Sequence, residues 1–328
     1  MSALTELQNE VLSLRNAPAI AFTLTDWSVV ELAGNDARSF LHNFCTNDIR
    51  KLSNGQTCEA FACDLKGKIL AHFLVLAPEE NLLLVGGPGT ATVLVPHLSK
   101  YLLDANVTIR DLSNRWQVLC LQGDQLSNQV QQVTGEAIST DAGTCGKIDT
   151  SQVVVAGAPC VPAPGLLIIG EADSVSRLTS AFPPEVVANG TPELFDVFRI
   201  AAGFPLHGKD ISNDDLAQNA ARTPQAISFT KGCYLGQEPI ARLDALGHTN
   251  RELRGLVIDS GSWSPGDKLF SGEKEAGTLT SVATLPASGR TIALGMIRTK
   301  MGAPGTQLTA QRDNETATAT IVWPESAS

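Results

Sequence analysis

The sequence predicts an α+β protein with a separate antiparallel β domain at its carboxyl terminus. From Trp27 to about residue 202, short strand-like and helix-like runs alternate, which is typical of split βαβ units. From Arg254 onward, short β-patterned runs are separated by glycine, serine and proline, as in a small sandwich or barrel. We therefore predict an α+β portion over residues 1–250, with internal boundaries near 110 and 185, and a β domain over 251–328.

Composition agrees with a folded protein of more than one domain. The 328 residues suffice for two or three domains of about 100 to 200 residues each. Hydrophobic residues make up 43% and charged residues 18%, which excludes disorder as the main state. The net charge of −10 argues against nonspecific binding to nucleic acid or to an anionic membrane, although a local basic cluster can still bind a small anion.

The amino terminus predicts an amphipathic helix rather than a signal peptide. Leu4, Leu7, Val11 and Leu14 recur at helical spacing, and acidic residues lie between them. No apolar stretch approaches the roughly 20 residues that span a bilayer. We therefore expect a cytoplasmic protein.

The first α+β unit is predicted to hold four strands and two helices. Asn35 or Asp36 is a candidate cap for the first of these helices, and Gly67 suits a tight hairpin turn. Pro96 is expected to kink the second helix or to mark a new start. The predicted strands are 28–32, 57–64, 68–76 and 81–85, and the predicted helices are a short run through Phe44 and residues 90–103.

The following region repeats the same pattern and leads into the β domain. Its predicted strands are 107–112, 117–121, 152–156 and 166–169, and its predicted helices are 124–133, 174–182 and 193–202. The last of these helices ends at Gly203-Phe204-Pro205, the usual order of stop signals. Strands of the β domain are predicted at 254–258, 268–270, 277–283, 291–297 and 317–322.

The seven cysteines do not form a recognisable metal or disulfide pattern. Their number is odd and none occurs in a C-x-x-C pair, which fits a reducing compartment. Cys58 and Cys63 lie on one strand at odd separation and are therefore expected on opposite faces. No metal site is predicted, and His42, His97, His207 and His248 show no ligand spacing.

The stretch K-G-C-Y-L-G-Q-E-P, residues 231–239, is the most informative segment. It places the thiol of Cys233 between two glycines and close in sequence to Lys231, Glu238 and Arg242. A neighbouring cation favours the reactive thiolate, and glycines allow another molecule to approach closely. The alternative is a small buried thiol beside a tight turn, which is common for free cysteine.

A longer segment around this stretch carries a family resemblance. S-F-T-K-G-C-Y-L-G-Q-E-P-I-A-R, residues 228–242, resembles the signature of the YgfZ family. These are folate-binding proteins that support iron–sulfur enzymes and are related in fold to the glycine-cleavage T protein, an aminomethyltransferase. Further similar segments are Asp26-Trp27, residues 34–48, C-D-L-K-G-K at 63–68, R-I-A-A-G-F-P at 199–205, G-T-L-T-S at 277–281 and I-A-L-G-M-I at 292–297.

The resemblance implies a fold, a ligand and partners. The fold would be aminomethyltransferase-like, with two ferredoxin-like α+β units and a carboxyl-terminal antiparallel β-barrel around a folate channel. The ligand would be tetrahydrofolate or a related folate. The partners would be iron–sulfur client or assembly proteins, such as enzymes that thiolate tRNA, and the chain would have no catalytic turnover of its own. Cys233 would be the functional thiol, and the folate would contact Trp27, Phe195, Lys231, Tyr234, Gln237, Glu238 and Arg242.

Several of these residues also have an ordinary structural explanation. Trp27 and Phe195 suit core packing as well as a flat heterocycle. Arg242 is spaced to pair with Glu238 on an exposed helix. Asn47 and Asp48 are expected to form a turn or a cap, with a ligand contact as the alternative.

The chain departs from the T-protein pattern at positions where the transferase carries acids. Ala71 and His72 occupy the places of an acidic pair, and Ala201 stands where the family pattern R-I-E-A-G has a glutamate. Alanine cannot steer a proton during methylene transfer, whereas His72 is either a base or a packed residue. A tetrahydrofolate-dependent aminomethyltransferase or demethylase is therefore the alternative function.

Overall fold

The computed structural model describes residues 3–15, 17–247 and 249–323; His248, named above, lies outside them. The described chain forms two open β-sheets, helices that cover them, and a closed antiparallel barrel. This confirms the predicted α+β class with a carboxyl-terminal barrel. One large apolar core lies where the two sheets, the helix Pro192–Ala201 and the barrel wall meet.

The first sheet comes from the chain between Trp27 and Asp111. Its strands, in spatial order, are β3 (Gln56–Cys63), β4 (Ile69–Ala77), β5 (Leu82–Pro88), β2 (Trp27–Ala33) and β6 (Thr108–Asp111). One face packs on the helices α2 (Ala37–His42) and α3 (Thr90–Ser99), and the other face enters the shared core. Apolar residues occur on both faces of β4 because both are covered.

The second sheet has six strands, three of which the sequence did not predict: Ala19–Thr23, Cys145–Ile148 and Val187–Asn189. Residues Ala19–Thr23 form β1, which pairs with β7 (Trp116–Gly123) and with β11 (Val187–Asn189). The remaining strands are β10 (Gly165–Glu171), β9 (Val153–Gly157) and β8 (Cys145–Ile148). The outer face packs on α4 (Leu126–Thr134) and α5 (Ala172–Ser180). Because β1 joins strands more than 90 residues later in the chain, local patterning carried little sign of it.

The barrel closes through six antiparallel strands. They are, in spatial order, β12 (Arg251–Ile258), β15 (Thr291–Arg298), β14 (Lys274–Thr284), β13 (Lys268–Ser271), β16 (Gln307–Arg312) and β17 (Glu315–Trp323). Closure pairs every edge, and alternate residues fill the interior.

The other helices tie these units together. α1 (Ala3–Leu12) is the predicted amphipathic helix, with Leu7 and Val11 buried in the shared core. α6 (Pro192–Ala201) lies between the second sheet and the barrel. The short α7 (Thr223–Ala226) precedes the 231–239 stretch, and α8 (Gln237–Leu246) begins within it.

Asp36 has a different role from the predicted helix cap. It occupies the position before α2, but its side chain makes no capping bond to that helix. Oδ2 instead accepts a hydrogen bond from the backbone N–H of Asn106 at 2.8 Å. The competing partner is more than 60 residues away, so local sequence could not identify it.

Candidate functional site

Trp27 and Phe195 line one surface cleft, as expected for two residues of a common site. The cleft has a volume of about 200 Å³, and Leu206 and Pro88 belong to its apolar wall. Both rings are largely buried, with Trp27 6% and Phe195 8% exposed. Their centroids are 6.3 Å apart in an edge-to-face arrangement.

Polar groups lie at the same cleft. Lys209 Nζ is 2.7 Å from Asp196 Oδ2, and both residues are cleft residues that remain partly exposed. Burial alone would raise the pKa of Asp196, but the charges of Arg199 and Lys209 outweigh it and lower the pKa. The cleft thus combines aromatic walls with an ion pair.

Local backbone geometry places the indole of Trp27. Asp26 adopts a left-handed conformation with φ of 63°, which aspartate tolerates better than most residues. The register of β2 against β5 then shifts between Trp27 and Ser28. A turn and a bulge therefore direct the ring into the shared core, where residues of both sheets meet.

A continuous series of rings runs from Trp27 towards the first sheet. Trp27 stacks on Phe204 at 6.4 Å between centroids, and Phe204 contacts His72 at 5.1 Å. His72 in turn stacks on Phe61 at 4.9 Å. His72 is therefore a packed residue with 3% exposure, which agrees with the structural interpretation of that position.

A buried ion pair ends this series. Glu59 accepts hydrogen bonds from both Arg222 Nε and Nη2, and its Oε2 lies 3.1 Å from His72 Nε2. Glu59 and Arg222 are 5% and 6% exposed. Burial alone would raise the pKa of Glu59, but the His72 hydrogen bond and the Arg222 charge hold it at about 2. A carboxylate this well compensated remains ionised over the physiological range.

The backbone before Arg222 is strained. Ala221 has φ of 54°, a backbone conformation that residues other than glycine, asparagine and aspartate seldom adopt. It follows the short 3-10 turn Ala217–Ala220 and allows the chain to reverse into α7. This strained residue directly precedes Arg222, whose guanidinium reaches Glu59.

The R-I-A-A-G-F-P segment joins α6 to the barrel. Arg199 is fully buried and donates to Asp196, to the carbonyl of Phe204, to Asp210 and to Ser281. Thr280 donates to the other oxygen of Asp210 at 2.8 Å. Gly203 has φ of 64°, and a Cβ there would lie 2.4 Å from the ring of Trp323. The two motifs at 199–205 and 277–281 thus form one buried hydrogen-bond network that joins α6 to the barrel.

The 231–239 stretch packs against the turn that follows α2. Lys231 points inward, and its Nζ donates to three backbone carbonyls, those of His42, Cys45 and Asn47. The ammonium also lies 4.5 Å from the ring centroid of Tyr234. Burial lowers the pKa of Lys231. Its hydrogen-bonding capacity is used by the protein itself.

The same stretch interlocks with the C-D-L-K-G-K hairpin. Gly236 has φ of 82°, and a Cβ there would lie 2.5 Å from the carbonyl oxygen of Asp64. A Cβ on Gly67 would lie 3.1 Å from Pro239 Cγ. Each segment therefore needs its glycine because the other approaches so closely.

The remaining residues of the stretch differ in exposure. Tyr234 is buried in a small apolar cluster with Phe61 and Cys63. Gln237 Oε1 accepts from the backbone N–H of Tyr234 at 3.3 Å. Cys233, Glu238 and Arg242 are exposed, and no ion pair joins Glu238 to Arg242 in the described chain. Cys233 is thus an accessible thiol on a tightly held loop.

The structure separates the predicted site residues into two groups. Trp27 and Phe195 line the cleft, whereas Lys231 and Tyr234 lie on the loop with Cys233, and Gln237, Glu238 and Arg242 lie on the helix α8 that follows. The rings of Phe204, His72 and Phe61 fill the space between the groups. Asn47 serves the loop side, with its Nδ2 donating to the carbonyls of Glu59 and Gln225.

Glu59, Arg222 and Phe204 were missed by reasoning from the sequence. A glutamate among the apolar residues of β3 was the available signal, because such a group needs a buried partner. Nothing local identified Arg222, which lies 163 residues away. Ala71 and Ala201, where the transferase pattern has acids, are both buried in apolar clusters.

The described residues contain neither a candidate membrane-spanning helix nor a candidate metal cluster. No described helix is long and apolar enough to cross a membrane. Within the same ranges, no group of three or more histidine, cysteine, aspartate or glutamate residues could hold a metal ion.

Comparison with known proteins gives the family. Residues 3–163 match the GCVT N-terminal domain, and residues 251–325 match the glycine cleavage T-protein C-terminal barrel domain. The tRNA-modifying protein YgfZ of Colwellia psychrerythraea is 26% identical over 231 residues, covering 70% of this chain and 69% of that protein. The Escherichia coli protein of the same name is 27% identical over 249 residues, covering 72% and 71%.

A solved structure shows the same fold over nearly the whole chain. The crystal structure of glycine cleavage system aminomethyltransferase T from Bartonella henselae superposes with a TM-score of 0.81 at 20% identity, covering 96% of this chain and 88% of that one. Together the two family models span most of the sequence. The chain therefore belongs to the glycine-cleavage T-protein family, and within it resembles the proteins named YgfZ.

Proposed function

We propose that this protein is a folate-binding accessory factor for the assembly or maintenance of iron–sulfur clusters, with Cys233 as its functional thiol. It would support iron–sulfur enzymes such as those that thiolate tRNA, in line with the name of its relatives. The observation that carries the proposal is the exposed Cys233 on a loop whose neighbours are fixed by buried contacts. A merely structural thiol would be expected to point into the core, as Cys63 does.

The dimensions of the cleft support a ligand with a flat ring. A volume of about 200 Å³ lies below the roughly 300 Å³ at which pockets for whole drug-sized ligands begin. It therefore fits one ring system and leaves a longer tail outside. Trp27, Phe195 and Leu206 would hold the ring system of the folate, and Lys209 would meet its carboxylate tail. The folate would supply one-carbon or redox chemistry of its own.

The thiol is tested by complementation. In a strain that lacks this gene, Cys233→Ala should fail to restore the activity of an iron–sulfur enzyme, measured as thiolated tRNA. The matched control is Cys145→Ala, because Cys145 is another free thiol, of intermediate exposure, that lies on β8. Full restoration by Cys233→Ala would refute the thiol role.

The folate site is tested by calorimetric titration with tetrahydrofolate. Trp27→Leu should weaken binding about fivefold, since an aromatic contact is worth on the order of 1 kcal/mol. Trp116→Leu is the control, because Trp116 is partly exposed on β7 and lies outside this cleft. Equal affinity in the wild type and Trp27→Leu would exclude the cleft as the folate site.

The alternative function is a tetrahydrofolate-dependent aminomethyltransferase or demethylase. The family models and the aminomethyltransferase fold favour it, whereas the alanines at positions 71 and 201 disfavour it. We expect purified protein to form no methylenetetrahydrofolate from an aminomethyl donor. Turnover that survives Cys233→Ala would favour the transferase instead.

A further inference from the structure

The imidazole of His42 lies beside the residue that precedes Cys233. A Cβ placed on Gly232 would be 4.0 Å from His42 Nε2, and it would meet no other atom within that distance beyond its chain neighbours. Glycine at this position therefore leaves the imidazole edge open towards the loop. Any larger side chain would cover it.

His42 is buried yet keeps one ring nitrogen free. The residue is 3% exposed at the end of α2. Its Nδ1 lies 3.2 Å from Asp48 Oδ1, close enough for an ion pair although the angle departs from that of an aligned hydrogen bond. Among the described residues, no protein group hydrogen-bonds to Nε2, the nitrogen that faces Gly232.

The loop carrying the thiol is fixed on both sides of Cys233 to the turn that follows His42. Lys231 Nζ donates to carbonyls of that turn, including the one of Cys45 at 2.7 Å. On the other side, the N–H of Leu235 donates to the carbonyl of Asn43 at 2.9 Å. Cys233 therefore lies between two anchored residues, Lys231 and Leu235, and directly follows the glycine that faces the His42 imidazole.

We propose that His42 accepts the proton of the Cys233 thiol when the sulfur reacts, and that Asp48 positions the imidazole for this step. The inference rests on the proposed function only in taking Cys233 as the working thiol. Asp48 faces Nδ1 and favours the tautomer with the proton there, so that the lone pair is on Nε2.

The proton transfer balances within the protein. As Cys233 Sγ forms a bond to an electrophile, the leaving group departs with its electron pair, the S–H bond breaks, and the proton passes through one bridging water to His42 Nε2. The imidazolium that results is stabilised by the carboxylate of Asp48 and returns its proton to solvent. This is general base assistance rather than a preformed thiolate.

The charges around His42 keep it in the accepting form. Burial lowers its pKa, the charge of Lys231 lowers it further, and Asp48 and Arg50 act in opposite directions with smaller effect. The ring is consequently neutral near pH 7. Lys231 comes from the loop, whereas Asp48 and Arg50 belong to the segment at the short 3-10 turn Ile49–Lys51.

The test measures alkylation of Cys233 by iodoacetamide between pH 6 and 9, with the modified peptide quantified by mass spectrometry. His42→Gln should lower the rate near pH 7 by about tenfold, because the base is lost. The two rates should converge above pH 9, where the thiol ionises unaided. His97→Gln is the matched control, since His97 is a buried histidine on α3 and its ring contacts Tyr101.

Two further variants keep the test decisive if His42→Gln folds poorly. Gly232→Val covers the imidazole edge without changing it, and Gly232 does not have a positive φ that would penalise a side chain. Asp48→Asn keeps the imidazole but removes its charged partner. Both should lower the alkylation rate near pH 7 in the same direction.

Wild-type alkylation rates in the folded variants would overturn the role of His42. That outcome is distinct from failure of the proposed function, which is decided by complementation with Cys233→Ala. Rates that fall in His42→Gln and Gly232→Val but not in His97→Gln would support the inference.

Discussion

The cleft at Trp27 and the loop at Cys233 are held in place by different kinds of interaction. The cleft is walled by rings whose positions depend on a core shared by both sheets, α6 and the barrel. The loop is fixed by backbone carbonyls, by a buried lysine and by two glycines that interlock. A ligand site thus rests on long-range packing, whereas the thiol rests on hydrogen bonds between two short segments.

This difference explains why the two groups of residues looked equivalent in the sequence. Lys231 and Tyr234 resemble ligand contacts by type, yet their polar and apolar atoms are used to hold the loop. The loop therefore presents one reactive atom to solvent, and the cleft presents a surface. Substitutions that weaken packing should affect the cleft first, while changes of backbone geometry should affect the loop.

The largest effect is expected at the ionic end of the ring series. Arg222→Ala leaves Glu59 buried without its partner and should lower the free energy of unfolding by about 3–5 kcal/mol. Arg242→Ala, on the exposed face of α8, should change it by less than about 0.5 kcal/mol. Urea unfolding at pH 7 measures both. A comparable loss in the two variants would contradict the buried ion pair.

The same pair gives a dependence of stability on pH. Because the pKa of Glu59 is about 2 in the folded state and near 4.5 when unfolded, its contribution is present above pH 4.5 and is lost as the pH falls towards 2. The loss should be on the order of 3 kcal/mol. Urea unfolding between pH 6 and 3 should show a shallower decline in Glu59→Gln than in the wild type. Identical slopes would contradict this assignment.

The loop can be tested with two glycines of α8 that share a conformation. Gly236 and Gly247 precede and follow the helix with φ of 82° and 78°. Gly247→Ala should cost about 1 kcal/mol for the left-handed backbone alone, because no atom lies within 4 Å of the added methyl. Gly236→Ala must also displace Asp64 and should cost at least twice as much, about 2–3 kcal/mol. Equal unfolding free energies would mean that the hairpin does not clamp the loop.

The smallest effect is expected at the helix that forms one wall of the cleft. Thr191 Oγ1 accepts from the N–H of Leu194 at 3.3 Å and caps α6. Thr191→Ala should lower the free energy of unfolding by about 1 kcal/mol, and Thr191→Ser should retain most of it. If the thermal midpoints of the two variants coincide, this cap does not stabilise the cleft wall.

What the sequence determined by itself is local or carried by motifs. Alternation and breakers predicted the strands of the first sheet and five of the six barrel strands, but not Gln307–Arg312, because a strand with one buried face has a period of two residues. The signature at 228–242 indicated the family and placed Cys233 between two glycines, but it left open whether the thiol is buried or exposed. For His72 the sequence left two roles open, a base and a packed residue.

Only the tertiary structure decided which groups meet. Strand β1 has partners about 100 and 170 residues away, and the contacts of Arg222 with Glu59 and of His42 with Gly232 join segments 163 and 190 residues apart. Lys231 points inward because the end of α2 presents backbone carbonyls to its ammonium group, and only the tertiary structure brings these segments together. Such pairings depend on packing and burial across the molecule, which a pattern read along one chain does not contain.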